Sequence, residues 1–159
     1  MAASHAQQRM TRVSIRPARP DEHALLEALQ RRASLNNPGD RDALLAHPEA
    51  IVLPIEQIMA GDVFVAELDG GLAGFAAVLT RSDGGAELDA LFVEPHLWKR
   101  GVGRQLVEHA AAVARARAAG FLHVIGNPHA EGFYLACGFR TLETVQTQFG
   151  AGLSMRRPL

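Results

Sequence analysis

Between Val63 and Val93 the chain passes through three apolar stretches separated by two short turns, and this patterning narrows the fold more than any other feature. Val63–Leu68 (VFVAEL) has the β-branched and aromatic content of a strand. Asp69-Gly70-Gly71 follows with residues that tolerate positive φ, as a tight hairpin requires. Leu72–Leu79 (LAGFAAVL) is almost wholly apolar, the mark of a strand buried on both faces. Ser82-Asp83-Gly84-Gly85 turns the chain again, and Ala86–Val93 (AELDALFV) closes at Glu94-Pro95. The reading is an antiparallel meander. The period then changes: Val102, Leu106, Ala110 and Val113 mark one side of a helix from about Gly101 to Ala119. Gly120 stands where a C-terminal cap belongs.

Around this centre the elements are shorter. Val13–Arg16 alternates like a half-buried strand, and Pro17 and Pro20 end it. Leu25, Leu26, Leu29 and Ala33 predict a helix from about Pro20 to Ser34, ended by the turn formers Asn36-Asn37-Pro38-Gly39-Asp40. Arg41–Ile58 reads as one or two short helices broken at Pro48 and Pro54. Phe121–Ile125 is a strand, His129–Cys137 a short helix, and Gly138 to about Val145 a strand. Leu153-Ser154-Met155 fits a last one. A meander, then helix, strand, helix and two strands make a mixed α/β domain. The polar stretch Met1–Thr11 is expected to be a disordered tail, with a single domain over residues 12–159.

Composition excludes several function classes. Sixteen basic against seventeen acidic side chains give a net charge of -1, so no whole-molecule field attracts nucleic acid. One cysteine forms no internal disulfide. No uncharged apolar run approaches the roughly 20 residues of a membrane span, so the protein is expected to be soluble and cytoplasmic, without a membrane partner. The seven histidines show no His-x-x-x-His spacing, and no metal site is expected.

The stretch Phe92–Arg104 (FVEPHLWKRGVGR) carries the chemistry. A strand ends, and a loop with Gly101 and Gly103 opens a long helix. The first backbone N–H groups of a helix have no internal partner, and the dipole adds positive charge there, so such a turn can seat a phosphate. Lys99, Arg100 and Arg104 add charge locally. Gly103 is followed by Arg104-Gln105, which does not match a nucleotide P-loop. Leu106 breaks the third glycine of a dinucleotide fingerprint. On its own, the turn is equally a simple helix entry.

A second segment, Asn127–Phe139 (NPHAEGFYLACGF), ends a short aromatic helix in Gly-Phe. Together the two segments resemble the GNAT superfamily of N-acetyltransferases, which use acetyl-CoA. The family's phosphate turn, Gln/Arg-x-x-Gly-x-Gly/Ala, is matched at Gly101 and Gly103. Its second signature is matched by Asn127, Ala130, Phe133, Tyr134, Gly138 and Phe139. Ile15-Arg16-Pro17-Ala18 also looks like a typical start, and the likeness runs from about Val13 to Met155. One position departs: Trp98 stands where the family has Gln or Arg.

The resemblance implies a mainly antiparallel twisted sheet of about seven strands flanked by about four helices. It implies an acyltransferase moving an acetyl group from acetyl-CoA to an amine, with no metal. The turn residues Lys99, Arg100, Gly101, Val102, Gly103 and Arg104 would hold the diphosphate. Leu91, Phe92 and Val93 would pair through their backbone with pantetheine. Asn127 would bond pantetheine or cap the helix that follows it, for which Asn is also favoured. Tyr134, the only tyrosine, would give a proton to the departing sulfur. Glu87 or Asp89, two apart on one strand, would take the amine's proton; Glu87 matches the family's position. Phe133 and Cys137 are expected in the core. The segments Ser34–Ala60 and Gln146–Leu153 would shape the acceptor pocket. Asp40, Asp42 and Glu49 are candidates to draw a cationic amine, or are simply solvated. A homodimer fits the family's habits. The competing reading is a catalytically silent CoA-binding sensor or interaction module.

Overall fold

The computed structural model describes residues 13–159, so the expected tail, residues 1–11, lies outside the described part. The chain forms β1 (Val13–Pro17), α1 (His23–Leu35), α2 (Pro38–Ala46), α3 (Ile55–Met59), β2 (Val63–Leu68), β3 (Gly71–Thr80) and β4 (Ala86–Val93). It continues through α4 (Val102–Ala116), β5 (Phe121–Gly126), α5 (Glu131–Ala136), β6 (Arg140–Thr147) and β7 (Gly150–Pro158). Single 3₁₀ turns at Pro20–Glu22, Pro48–Ala50, Pro95–Leu97 and Pro128–Ala130 each begin with proline. Proline's fixed φ suits the first position of such a turn, where its missing N–H has no partner to lose.

The sheet is seven-stranded and mixed, in the order β1-β2-β3-β4-β5-β7-β6. The expected meander is there: β2, β3 and β4 pair antiparallel in sequence. The one parallel pair, β4 with β5, meets only at Ala86↔Leu122 and Glu87↔His123. Beyond those two pairs the strands part, and the sheet is split down its middle. A bulge helps to open the split. The β3–β4 register slips between Ala77↔Ala90 and Val78↔Leu88, leaving Asp89 as the extra residue. An extra residue bends the bulged strand and raises its twist.

Each face of the sheet has its own core. On one, Leu106, Val107, Ala110 and Ala114 of α4 meet Ala76, Val78, Leu88, Leu122, Val124 and Met155. On the other, Leu26 and Leu29 of α1 and Ile58 of α3 meet Val63, Val65, Phe75 and Ala77. Fully burying each such leucine or valine is worth about 1.5–3 kcal/mol. Phe75 and Val78 of β3 serve opposite cores, which explains that strand's apolar run.

Two boundaries differ from expectation. Pro38-Gly39-Asp40 does not merely end the first helix; it begins α2. Asn37 Oδ1 accepts the Gly39 N–H at 3.3 Å and Pro38 takes the first helical position. At the end of α4, the left-handed residue is Ala118 at φ 63°, not Gly120. The helix stops at Ala116, and Gly120 N–H instead donates to Gly84 O at 2.9 Å.

Candidate active site

The glycine turn sits where β4 gives way to α4. Gly101 has φ 85°, and a side chain there would meet nothing within 4 Å, so the backbone conformation alone calls for glycine. Lys99 is also left-handed, at φ 66°. These two reversals expose the turn and leave Lys99, Arg100 and Arg104 on the surface around it. Val102 is buried, anchoring the first turn of α4 in the core while its amide end faces the loop. Gly103 answers a different need: a Cβ there would stand 3.2 Å from the Phe133 ring. Phe133 is therefore not a core residue as expected. It is 37% exposed and lies against the turn.

Trp98 is joined to the strand. Its Nε1–H donates to Val93 O at 2.8 Å. Glu94 N–H donates the other way, to Ala73 O of β3, so the Val93 carbonyl in the same peptide unit points towards the split. The indole thus closes one backbone acceptor at the mouth of the split and ties the turn to β4. Along β4, Leu91 and Val93 pack on the α4 side, while Phe92 faces the α1 side against Phe75.

Tyr134 borders the split from the α4 side. It is buried, with Phe133 and Phe139 edge-on at 5.1 and 5.4 Å. Its ring lies over Gly126, the last residue of β5, where a Cβ would come within 3.0 Å. Burial raises the hydroxyl's pKa above its ordinary value, so the group keeps its proton at neutral pH. Cys137, buried nearby as expected, is likewise pushed up by burial and stays a thiol.

Asn127 is engaged at both ends. Its Oδ1 accepts the His129 N–H at 2.9 Å, the helix-capping geometry, and its Nδ2 donates to Asp40 Oδ1 at 2.9 Å. Gly39 presses on the same amide, so the start of α2 is clasped to the end of β5. Burial raises the Asp40 pKa. Asp42 and Glu49 are exposed. The two segments expected to shape an acceptor pocket do meet: His47 and Phe149 stand 6.2 Å apart, lining a groove with Glu49, Ala50 and Gln148.

Glu87 lies at the closed apex of the split. Its Oε1 accepts from Arg81 Nη1 at 2.5 Å and lies 2.7 Å from His123 Nδ1. His123 Nε2 in turn is 2.7 Å from Ser154 Oγ. Asp89, the bulge residue, is exposed and accepts from Gln57 at 3.3 Å. Sequence reading missed Arg81, His123 and Ser154. Parity was the available signal, since Leu122 and Val124 flank His123 while Leu153 and Met155 flank Ser154.

A family model described as an acetyltransferase (GNAT) domain matches residues 60–141, from the end of α3 to the start of β6. The chain belongs to the GNAT acetyltransferase family. As a GNAT protein it is an acyltransferase. A GCN5-related N-acetyltransferase (aminotransferase, class II) from Rhodopseudomonas palustris is 24% identical, with a TM-score of 0.75 over 94% of this chain and 98% of that one. PaiA N-acetyltransferase from Thermoplasma acidophilum, solved in complex with coenzyme A, is 16% identical, with a TM-score of 0.73 over 93% and 99%. Ribosomal-protein-alanine N-acetyltransferase from Brucella melitensis is 23% identical, with a TM-score of 0.70 over 92% and 99%. At these identities the likeness is one of fold. No curated protein matches the chain.

Proposed function

We propose that this GNAT protein transfers the acetyl group of acetyl-CoA to a primary amine, carried by a small molecule or an exposed peptide amino group. The observation that carries the reading is the parting of β4 and β5 beside the helix-opening turn at Gly101, with Tyr134 packed at the edge of the split. The coenzyme A in the PaiA relative supports it. The residues present fit such a group. The first amides of α4, with Lys99, Arg100 and Arg104 around them, suit a diphosphate. Of the three β4 residues, Leu91 and the Val93 N–H would face a strand-like pantetheine arm, while the Val93 carbonyl is held by Trp98 and Phe92 is in register with Phe75 on β3.

When bound, acetyl-CoA supplies a thioester that an amine attacks directly, with no enzyme nucleophile. Tyr134 holds its proton at neutral pH and is the group to hand one to the departing sulfur. Glu87 supplies the negative charge that draws the proton from the amine; Asp89, exposed on the bulge, is the weaker candidate. Asn127, engaged by Asp40 and His129, acts as a wall that fixes the start of α2 beside the site.

Titration calorimetry with acetyl-CoA tests the binding half, and free-thiol release against a panel of primary amines tests the transfer half. Saturable binding with amine-dependent thiol release is expected. No heat at millimolar acetyl-CoA would sink the proposal.

A further inference from the structure

We infer that Ser154, His123 and Glu87 form a proton relay that takes the proton of the attacking amine, an inference that rests on the acetyl-transfer reading above. The three side chains come from three adjacent strands, β7, β5 and β4. Glu87 and His123 are register partners at the apex of the split, and Ser154 stands opposite Ile125, two residues further along β5. Leu122, Val124, Leu153 and Met155 all enter the α4-side core, so His123, Ile125 and Ser154 share the opposite face. On that face α1 and α3 pack over β2–β4 and leave β5 open: Ile125, inside its strand, is 44% exposed. Ser154 and His123, 7% and 8% exposed, lie on this face opposite Tyr134, with Ser154 beside the exposed Ile125 where the amine would arrive.

The hydrogen bonds fix the direction of transfer. Glu87 Oε1 accepts from Arg81 Nη1 and lies 2.7 Å from His123 Nδ1; Arg81 Nη1 also stands 3.0 Å from that nitrogen, and the shorter contact, to the carboxylate oxygen, assigns the proton to Nδ1. Nε2 is then the open acceptor, 2.7 Å from the Ser154 hydroxyl. As the amine N–H bond breaks, its electron pair stays on nitrogen for attack and the proton forms a new O–H bond on Ser154. The original Ser154 O–H bond breaks, and that proton forms N–H on Nε2. The products of the step are a neutral amine, a neutral serine and an imidazolium facing the Glu87 carboxylate. Among the described residues, other charged groups on this face include Arg81 and Asp83 after β3, Asp89 on the β4 bulge against Gln57 of α3, the Arg32–Glu94 pair between α1 and the end of β4, Arg156 on β7 over the Phe121 ring, and Arg140 and Glu143 opposite β7 on β6. Ser154 is not assigned a nucleophile's role. It sits inside β7, whose backbone is laddered to β5 on one side and β6 on the other, leaving no free amides to hold a developing oxyanion.

Long-range ¹H–¹⁵N correlation spectra of the intact protein, with His123 assigned against His123→Gln, test the relay without turnover. The Nδ1–H tautomer is expected at alkaline pH, and the Nε2–H tautomer overturns the relay. In turnover, two probe amines are compared at neutral pH: benzylamine, which is protonated, and methoxyamine, which is not. Ser154→Ala and His123→Gln should slow benzylamine acetylation by about 100-fold, the range of general-base effects, and methoxyamine acetylation by far less, while Ser154→Thr restores the benzylamine rate. Equal slowing of both amines, or an acetylated Ser154 peptide in mass spectra, overturns it. Failure of acetyl-CoA to bind would sink the acetyl-transfer reading while leaving the His123 tautomer as measured.

Discussion

Tyr134 combines three properties at one position: a buried hydroxyl, a proton it keeps, and a ring seated on Gly126 at the edge of the split. Replacing Tyr134 with Phe keeps the ring packing and removes only the donor. The expected result is a kcat lowered about 10- to 100-fold, with calorimetric affinity for CoA changed little, because in the proposed mechanism the hydroxyl gives a proton rather than holding the ligand. Trp98 offers a second measurement. It is the only tryptophan, and its indole donates to a carbonyl that points towards the split. Titration with CoA is expected to change its fluorescence emission; a spectrum unmoved at saturating CoA would place the cofactor elsewhere. The place of Tyr134 on the short helix after β5 was legible in the sequence because a short motif fixes it. The partners of Glu87 were not: Arg81 folds back onto it across the β3–β4 turn, and His123 and Ser154, 36 and 67 residues away along the chain, join it only through the strand order β4-β5-β7. Nothing local in the sequence encodes that order.

Among the elements, α4 carries contrasting backbone strains at its two ends. At its start Gly101 is left-handed with open space around it, so Gly101→Ala should destabilise the fold by about 1–2 kcal/mol through backbone strain alone. The same change should weaken CoA binding, since the turn would shift to relieve that strain. At its end Ala118 is left-handed, and Ala118→Gly should raise stability by about 0.5–1 kcal/mol in chemical denaturation, strain relief outweighing the extra chain entropy of glycine. The expectation had put that role on Gly120, because a glycine after a periodic run is the usual signal. Gly120 is used instead to bring its N–H onto Gly84 O, a tertiary bond that sequence spacing does not reveal. The strands were more legible than the helices. Ala86–Val93 was read to its ends because hairpin turns and Pro95 bound it. The region from Arg41 to Ile58 was not, because prolines there mark both breaks and helix starts.

Over the whole molecule, the first strand is tied down by charge as well as by its ladder. Arg16 meets Glu22 through two bonds, at 2.9 and 2.8 Å, and also pairs with Glu67 on β2. Glu22 is buried, and the Arg16 guanidinium holds its carboxyl down at about 2. A carboxyl depressed in the folded state lends stability above its ordinary value of 4.5 and loses it as pH falls towards 2. Glu22→Gln should therefore cost on the order of 2–3 kcal/mol at neutral pH, with the difference from the natural chain closing between about pH 4.5 and 2. Urea midpoints measured across that range check both the sign and the window. The mixed sheet as a class followed from the meander and the change of period, yet the split did not, because no single strand's pattern records how far its neighbour follows it. With β4 and β5 meeting at two residue pairs, the split-facing peptide groups beyond them, the Trp98-bonded Val93 carbonyl aside, are served by solvent unless something displaces it. The two half-sheets are in effect sutured along one short seam, and a guest threaded between them, as proposed, would be mortar as well as reactant, so the protein's resistance to heat is expected to rise with its supply of fuel.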